Sequence, residues 1–205
     1  MINIGIMYVF LIAIFAVVGY LRGWQREVIA MAGLVASVAA LNQFAFTIAR
    51  MLGMVVPAGT VGAELDAARV QQFWLQFGFH CMMAFFSYQM ISRLADALTR
   101  GRLGDRLRSG LESRITGFVF GILNGYLFVG ALWGFLEYVL VEPTGYERLS
   151  PLDAPYPFAV TIISRPVMET FTSDFLALWL PMHFSAMFWL VTFFIVFFIV
   201  IVALI

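Results

Sequence analysis

His80 is the residue whose type and position best suit chemistry in this 205-residue chain, because it lies in the middle of a long charge-free stretch. An imidazole in apolar surroundings can ligate a haem iron or the magnesium of a chlorophyll-type pigment, or relay protons. The other interpretation is a neutral histidine that hydrogen-bonds a neighbouring helix. We favour the second, because no other histidine stands at metal-ligand spacing and no acid lies within the long apolar stretches. The sequence therefore indicates no cofactor, and a haem or pigment is expected only if His80 is a ligand.

Residues for other kinds of chemistry are few. Cys81 is the only cysteine, which excludes an internal disulfide and a paired-cysteine metal site. The chain has no Gly-rich phosphate loop, no HExxH pattern and no GxSxG pattern. Because no nucleophile–base pair or metal set emerges, we expect a protein that is not an enzyme. Asn124, in the middle of another apolar stretch, is expected to hydrogen-bond between helices rather than to contact a substrate.

The composition defines the environment in which these residues work. Hydrophobic residues make up 62% of the chain and charged residues 12%, and the mean hydropathy is +0.94. An average soluble domain is about 25% charged. This composition excludes a soluble enzyme, and it also excludes nucleic-acid binding and disorder, which need basic surface or low hydrophobicity. An integral membrane protein remains, with membrane lipids as its first partners.

Five charge-free stretches are long enough to cross a bilayer core about 30 Å thick, which takes about 20 residues of helix. The predicted spans cover about residues 2–21, 28–49, 70–92, 115–136 and, after Pro181, 182–205. The predicted fold is therefore all-α, a polytopic integral membrane helical bundle with about five transmembrane helices and amphipathic interfacial segments. Residues 93–114, with leucines between arginines, are either such a segment or a charge cluster that only sets topology.

The arginines predict the orientation. The loops after spans one and three hold eight arginines, and the other two loops hold four. The positive-inside rule then places the N-terminus outside and the C-terminus in the cytoplasm of a multi-pass membrane protein. The outer loop 137–175 is acidic and proline-rich. We expect this loop and the transmembrane helices to contact a partner protein or a second copy of the chain, and we expect no nucleic-acid partner.

Glycines recur at every fourth position in the fourth predicted span. They are Gly117, Gly121 and Gly125, followed by Gly130 and Gly134. Residues four apart share one helix face, and glycine lets a second backbone approach closely, which favours helix association in lipid. We predict packing against span two, where Ala32, Ala36 and Ala40 form a similar stripe. The alternative is that small residues are simply common in membrane helices.

A family resemblance begins directly after the first span. Residues 19–27 read GYLRGWQRE, which resembles the GYxRGxxxE junction of the colicin V production (CvpA) protein family. Residues 105–121 resemble the arginine-rich approach to the family's glycine-rich last helix, and residues 164–181 are similar to the amphipathic segment that follows it. Members commonly end there. Residues 1–181 are therefore expected to form the family-like membrane domain, and residues 182–205 an appended transmembrane helix.

The junction motif has a physical interpretation. Gly19 and Gly23 allow a tight turn, and Arg22 and Arg26 extend to lipid phosphates. Glu27 is expected to pair with one of the two arginines or to stabilise the N-terminus of span two through the helix dipole.

The resemblance implies a small protein of the bacterial inner membrane, linked to colicin export and envelope homeostasis, with no established catalytic residues. We therefore expect a non-enzymatic role in envelope maintenance or secretion. A second hypothesis is an accessory structural subunit of a larger energy-converting or pigment-bearing complex, such as a respiratory or photosynthetic assembly. A channel or carrier ranks third, because polar residues within the spans are limited to a few such as Asn42, Gln43, Gln76 and Asn124.

Overall fold

The computed structural model describes residues 2–91, 111–143, 145–150, 155–156, 163–165 and 176–204. The helices are α1 (Ile4–Arg22), α2 (Trp24–Met51), α3 (Ala63–Phe86), α4 (Leu111–Glu137) and α5 (Ala186–Leu204). A π-helical turn, Ser87–Ile91, extends α3, and a 3-10 turn, Pro181–His183, precedes α5. The chain is mostly helical, as expected. The described residues leave out most of the predicted interfacial segment 93–114 and parts of segments 137–175 and 164–181.

Local chemistry explains where the first two helices begin and end. The Asn3 side chain caps α1 by accepting a hydrogen bond from the Gly5 backbone N–H at 2.8 Å. Gly23 separates α1 from α2 with a φ of +81°, a conformation that side-chain-bearing residues rarely adopt. Its backbone N–H donates to the Gly19 carbonyl at 2.9 Å. A single residue therefore reverses the chain between two long helices.

Short strands, which the sequence analysis did not predict, cluster at one end of the bundle. They are β1 (Ile2–Asn3), β2 (Val56–Pro57), β3 (Tyr138–Glu142), β4 (Gly145–Arg148) and β5 (Ile163–Ser164). Strand β3 pairs antiparallel with β4 and parallel with β2, and β1 pairs parallel with β5. This strand end therefore gathers the start of α1, the connection between α2 and α3, and the segment after α4. The opposite end, where Gly23 joins α1 to α2, is called the junction end below.

Three helices, α1, α2 and α4, are long and apolar enough to cross a membrane. They coincide with the first, second and fourth predicted spans. Helix α3 begins earlier than the predicted third span, with Glu64, Asp66 and Arg69 in its first two turns. In α5 the described apolar part, Ala186–Ile201, is shorter. Crossings by α3 and α5 therefore stay predictions.

Helix α4 is the centre of the bundle, since α1, α2 and α3 all pack on it, while α5 packs on α2. Large apolar side chains point outward: Ile6, Phe10 and Leu21 on α1 are between 64% and 73% exposed. The interior, in contrast, contains polar residues that are almost fully buried: Glu27, Gln72, Gln76, His80, Asn124 and Glu137. Apolar faces outside and hydrogen-bonding groups inside are the arrangement that a bilayer favours.

Candidate functional site

The glycine face of α4 lies against α1. A Cβ atom at Gly19 would collide with the backbone of Gly117 and Gly121, and a Cβ at Gly121 would collide with the Phe15 carbonyl. At Gly125 a Cβ would lie 2.9 Å from the Phe15 Cβ. Where these glycines lie, the backbones of the two helices are too close for any side chain.

Span two was predicted to pack on span four, and α2 does pack on α4, but the glycine face itself lies against α1. Helix α1 lies against the glycine face because Gly19 adds a glycine on the opposite side of the crossing. The predicted stripe on α2, Ala32, Ala36 and Ala40, is only half-buried. The last two glycines face a different element. Cβ atoms at Gly130 and Gly134 would lie 3.0 Å from Pro181 Cδ and 2.8 Å from Met182 Cγ in the 3-10 turn.

A buried carboxylate, Glu27, lies at the junction end. Its Oε1 forms an ion pair with Arg22 Nη1 at 2.9 Å. Asn124 Nδ2 donates to Glu27 Oε2 at 2.7 Å and to the Glu27 backbone carbonyl at 3.0 Å. The Tyr88 hydroxyl donates to Oε2 at 3.3 Å, and the Arg22 guanidinium lies 4.6 Å above the Tyr88 ring. Glu27 thus connects the end of α1, the start of α2, the turn after α3 and the middle of α4.

This Glu27 cluster unites most of the residues that sequence analysis selected at the junction. Arg26 is half-buried and directly precedes Glu27, and both lie in the first turn of α2, where the helix dipole favours the negative charge of Glu27. Glu27 lies just outside the charge-free window 28–49, but the helix extends beyond that window. The helix starts at Trp24, and Glu27 is fully buried in it. Burial of this acid is tolerated because Arg22 supplies the opposite charge.

A second buried carboxylate, Glu137, ends α4 at the strand end. Its Oε1 accepts hydrogen bonds from Arg165 Nη2 at 2.6 Å and Arg148 Nε at 3.0 Å. Its Oε2 accepts from the Tyr156 hydroxyl at 2.9 Å and Arg165 Nε at 3.2 Å. Arg165 therefore binds the carboxylate through two nitrogens. Burial raises the pKa of Tyr156, and the neighbouring carboxylate raises it further, so the phenol keeps the proton that it donates.

Sequence reasoning missed this Glu137 cluster, because its members are spread over 28 residues and the segment was interpreted as a loop. Trp133 extends the cluster into α4 by donating from Nε1 to the Tyr156 hydroxyl at 3.0 Å. Arg69 of α3 donates to the Leu136 carbonyl at 3.0 Å.

A buried polar stripe runs along α3 from the strand end. Gln72 donates to the Met54 and Leu140 carbonyls at 2.7 and 2.9 Å, and it accepts from the Leu140 N–H at 2.8 Å. One turn further, Gln76 Oε1 accepts from the Tyr146 hydroxyl at 2.7 Å. Burial raises the pKa of Tyr146, so its hydroxyl stays a neutral donor. The stripe therefore anchors the β3–β4 hairpin to α3.

His80 is the next residue of the stripe and is fully buried. Its Nδ1 lies 2.8 Å from Ser37 Oγ of α2, and its ring stacks on Phe128 of α4 at 5.3 Å. Gln76 Nε2 and His80 Nε2 have no hydrogen-bond partner among the described residues. In that same part of the chain, no group of three or more His, Cys, Asp or Glu residues is arranged to hold a metal ion. The sequence favours a hydrogen bond to a neighbouring helix, and ligation of a haem or pigment by His80 stays the alternative.

Comparison with known proteins identifies one family. The sequence model of the colicin V production protein family matches residues 4–149. No curated protein and no solved structure matches the chain. The family match includes Glu27 and Glu137 and ends before α5.

Proposed function

The chain belongs to the colicin V production protein family, and on that premise we propose that it is a non-enzymatic bacterial inner-membrane protein in envelope maintenance or secretion. The observation that supports this proposal is that both buried carboxylates bind groups of the chain itself. Glu27 and Glu137 are fully buried, and their oxygens contact arginine, amide and phenol groups of the chain itself. Such contacts hold helices together and direct neither carboxylate toward a substrate.

A deletion strain tests this role. We expect loss of the gene to reduce survival under detergent or osmotic stress, or to reduce export of a colicin-type peptide, and we expect wild-type complementation to restore the defect. The exposed-site variant Leu123→Ala should complement equally well, because this side chain is 42% exposed on α4. Unchanged survival and export in the deletion strain would contradict the role. Accumulation of one small-molecule substrate would contradict the non-enzymatic part.

The proposed topology has five spans, with the N-terminus outside and the C-terminus in the cytoplasm. A shared side for the N-terminus and the second and fourth loops is supported by the strand end, which joins β1 to β5 and β2 to β3. The orientation is supported by the excess of arginines in the first and third loops. Alkaline phosphatase fused after residue 60 or residue 150 should be active, and a fluorescent protein fused after residue 205 should fluoresce. The opposite pattern would invert the topology, and activity at only one of the two loops would change the span count.

A role as accessory subunit is a second candidate, favoured by the apolar side chains that α5 exposes. Met187, Phe194 and Phe198 are between 61% and 67% exposed. Mild-detergent purification from the native membrane, with visible spectra and mass spectrometry of the same peak, distinguishes the two roles. Larger subunits in fixed ratio would favour the accessory role. Loss of any colour in His80→Ala would make His80 a ligand, whereas colourless, small and homogeneous material would exclude the accessory role.

The buried stripe favours a channel or carrier as a third candidate. Of the polar residues expected to line a pathway, Gln76 lies in the stripe, Asn42 donates to the Val38 carbonyl of its own helix at 3.1 Å, and Gln43 is exposed. Vesicles containing the protein and a pH-sensitive dye would detect proton flux. Flux that disappears in His80→Phe would support this candidate, and the absence of flux above protein-free vesicles would exclude a proton pathway.

A further inference from the structure

Two buried nitrogen atoms on α3 lack hydrogen-bond partners. Gln76 and His80 are both fully buried, and neither Gln76 Nε2 nor His80 Nε2 has a partner among the described residues. Nearly all buried polar groups in proteins are hydrogen-bonded, either to the chain or to an ordered water. Two unpartnered nitrogens one helical turn apart therefore point to a ligand that both side chains bind.

We propose that Gln76 and His80 together bind one water molecule inside the bundle. Residues four apart on a helix lie on the same face, with their Cβ atoms about 5–6 Å apart. Two hydrogen bonds of about 2.9 Å that meet at one oxygen atom span a similar distance. Because the two side chains do not bond each other directly, a single bridging oxygen atom fits their spacing.

The contact with Ser37 indicates which nitrogen of His80 carries the proton. Ser37 Oγ lies 2.8 Å from His80 Nδ1 and has no other hydrogen-bond partner in the described part of the chain. The Ser87 hydroxyl, in contrast, donates to the Met83 carbonyl one turn earlier. If Ser37 did not donate to Nδ1, its hydrogen would be buried without an acceptor. Nδ1 therefore accepts, and the proton of the neutral imidazole lies on Nε2.

The groups around the two nitrogens can satisfy a water molecule. The Gln76 amide and the His80 Nε2–H are both donors, so both are satisfied by the oxygen atom of the water. The backbone carbonyls of Leu127 and Phe128 on α4 approach the imidazole without forming a hydrogen bond to Nε2. A carbonyl has two lone pairs, so each can accept from the water in addition to its bond within the helix. A buried water typically makes about three hydrogen bonds, which these groups supply.

Neighbouring side chains limit the size and the charge of the occupant. The ring of His80 stacks on Phe128 with centroids 5.3 Å apart and meets Phe135 edge-on at 5.8 Å. Neither His80 nor Gln76 lines the two mainly apolar cavities between α1 and α3, where a larger ligand would have room. Both donors are neutral, so an anion would lose its hydration without gaining an opposite charge. Water is the small neutral acceptor that fits.

A water at this position extends the buried polar stripe. Tyr146 donates to Gln76, and Ser37 contacts His80, so the water joins two hydrogen-bonded pairs into one network. The network connects strand β4 with α3 and α2. It also separates His80 from metal ligation, because a nitrogen that carries a hydrogen has no free lone pair for an iron or a magnesium.

Nuclear magnetic resonance of the full chain with nitrogen-15-labelled histidine tests the proposal. The chain has two histidines, and His183→Gln assigns their signals. We expect the proton of His80 on Nε2, with a cross-peak from this proton to a water that exchanges slowly with bulk water. A proton on Nδ1, or the absence of a water cross-peak at Nε2–H, would overturn the proposal. Exchange as fast as at the protein surface would mean an open pathway and would overturn the closed site.

Two glutamine substitutions on α3 provide the variant and its control. Gln76→Leu removes one of the two donors, and the water cross-peak at His80 should fall at least tenfold. Gln71→Leu makes the same change at an exposed position of the same helix and should leave the cross-peak unchanged. Equal cross-peaks in both variants would overturn the role of Gln76. The wild-type spectrum keeps the test decisive if Gln76→Leu does not fold, and none of these results depends on a role in the envelope.

Discussion

Asn124, in the middle of α4, donates to both the side chain and the backbone of Glu27, at 2.7 and 3.0 Å. These two hydrogen bonds attach the start of α2 to α4 inside the bundle. They also explain how the acid of the family junction is held in place, because Arg22 neutralises its charge while Asn124 fixes its position. The contact connects two residues 97 positions apart in the chain.

Replacing Asn124 should destabilise the bundle. In Asn124→Leu the buried Oε2 and the backbone carbonyl of Glu27 each lose one donor, which costs about 1–3 kcal/mol. The midpoint of thermal unfolding in detergent, followed by circular dichroism, measures the loss. Leu123→Ala, next to it on the 42% exposed face, is the control and should change the midpoint much less. Equal effects of the two substitutions would mean that the Glu27 contact contributes nothing to stability.

The close approach of α1 and α4 predicts opposite effects for two glycine substitutions. Gly121→Ala introduces a Cβ that collides with the Phe15 carbonyl, so the helices must separate at a cost of about 1–3 kcal/mol. Gly78→Ala on α3 meets no atom within 4 Å and should stabilise its helix by up to about 1 kcal/mol. Thermal unfolding of both variants checks the signs. A neutral Gly121→Ala would show that the two helices can separate without cost.

The sequence predicts features that depend on the periodicity of residue types along the chain. It leaves open the features that depend on which helices lie next to each other in the fold. The charge-free windows locate α1, α2 and α4 closely, and the resemblance at residues 19–27 identifies the family. Spacing shows which face of α4 carries glycines, but it does not show which helix lies opposite. Gly19 of the junction motif was the available signal, since a second glycine makes α1 the better partner.

Burial of Glu137 could not be predicted from its local sequence. Glu137 follows the fourth apolar window and looks like the first residue of an acidic loop. Its partners Arg165 and Tyr156 come from distant positions in the chain. The strands were missed for a different reason. The run from Tyr138 to Val141 has the apolar and β-branched residues typical of a strand, but it was treated as part of the loop after span four.

Removing Arg165 should be among the most destabilising changes at the strand end. The side chain of Arg165 is 4% exposed and contacts both oxygens of Glu137, so Arg165→Gln leaves a buried carboxylate with less compensation. A cost of about 3–5 kcal/mol is typical of a broken buried ion pair. Arg50→Gln is the control, because Arg50 is 67% exposed in its pair with Glu142 and should cost below about 1 kcal/mol. Chemical denaturation of both variants compares the losses, and similar losses would contradict a structural role for the Glu137 cluster.

The hydrogen bond from Tyr146 to Gln76 predicts that substituting both residues lowers the free energy of unfolding by less than substituting Tyr146 alone. Tyr146→Phe leaves Gln76 Oε1 buried without its donor, so the free energy of unfolding should fall by about 1–3 kcal/mol. Amide hydrogen exchange in β4 should accelerate, because this bond anchors the hairpin to α3. Adding Gln76→Met removes the unpaired acceptor and should recover part of the loss, as measured by a double-mutant cycle. Strictly additive losses, with unchanged exchange in β4, would show that the hairpin is held by its strand pairing and not by the polar stripe.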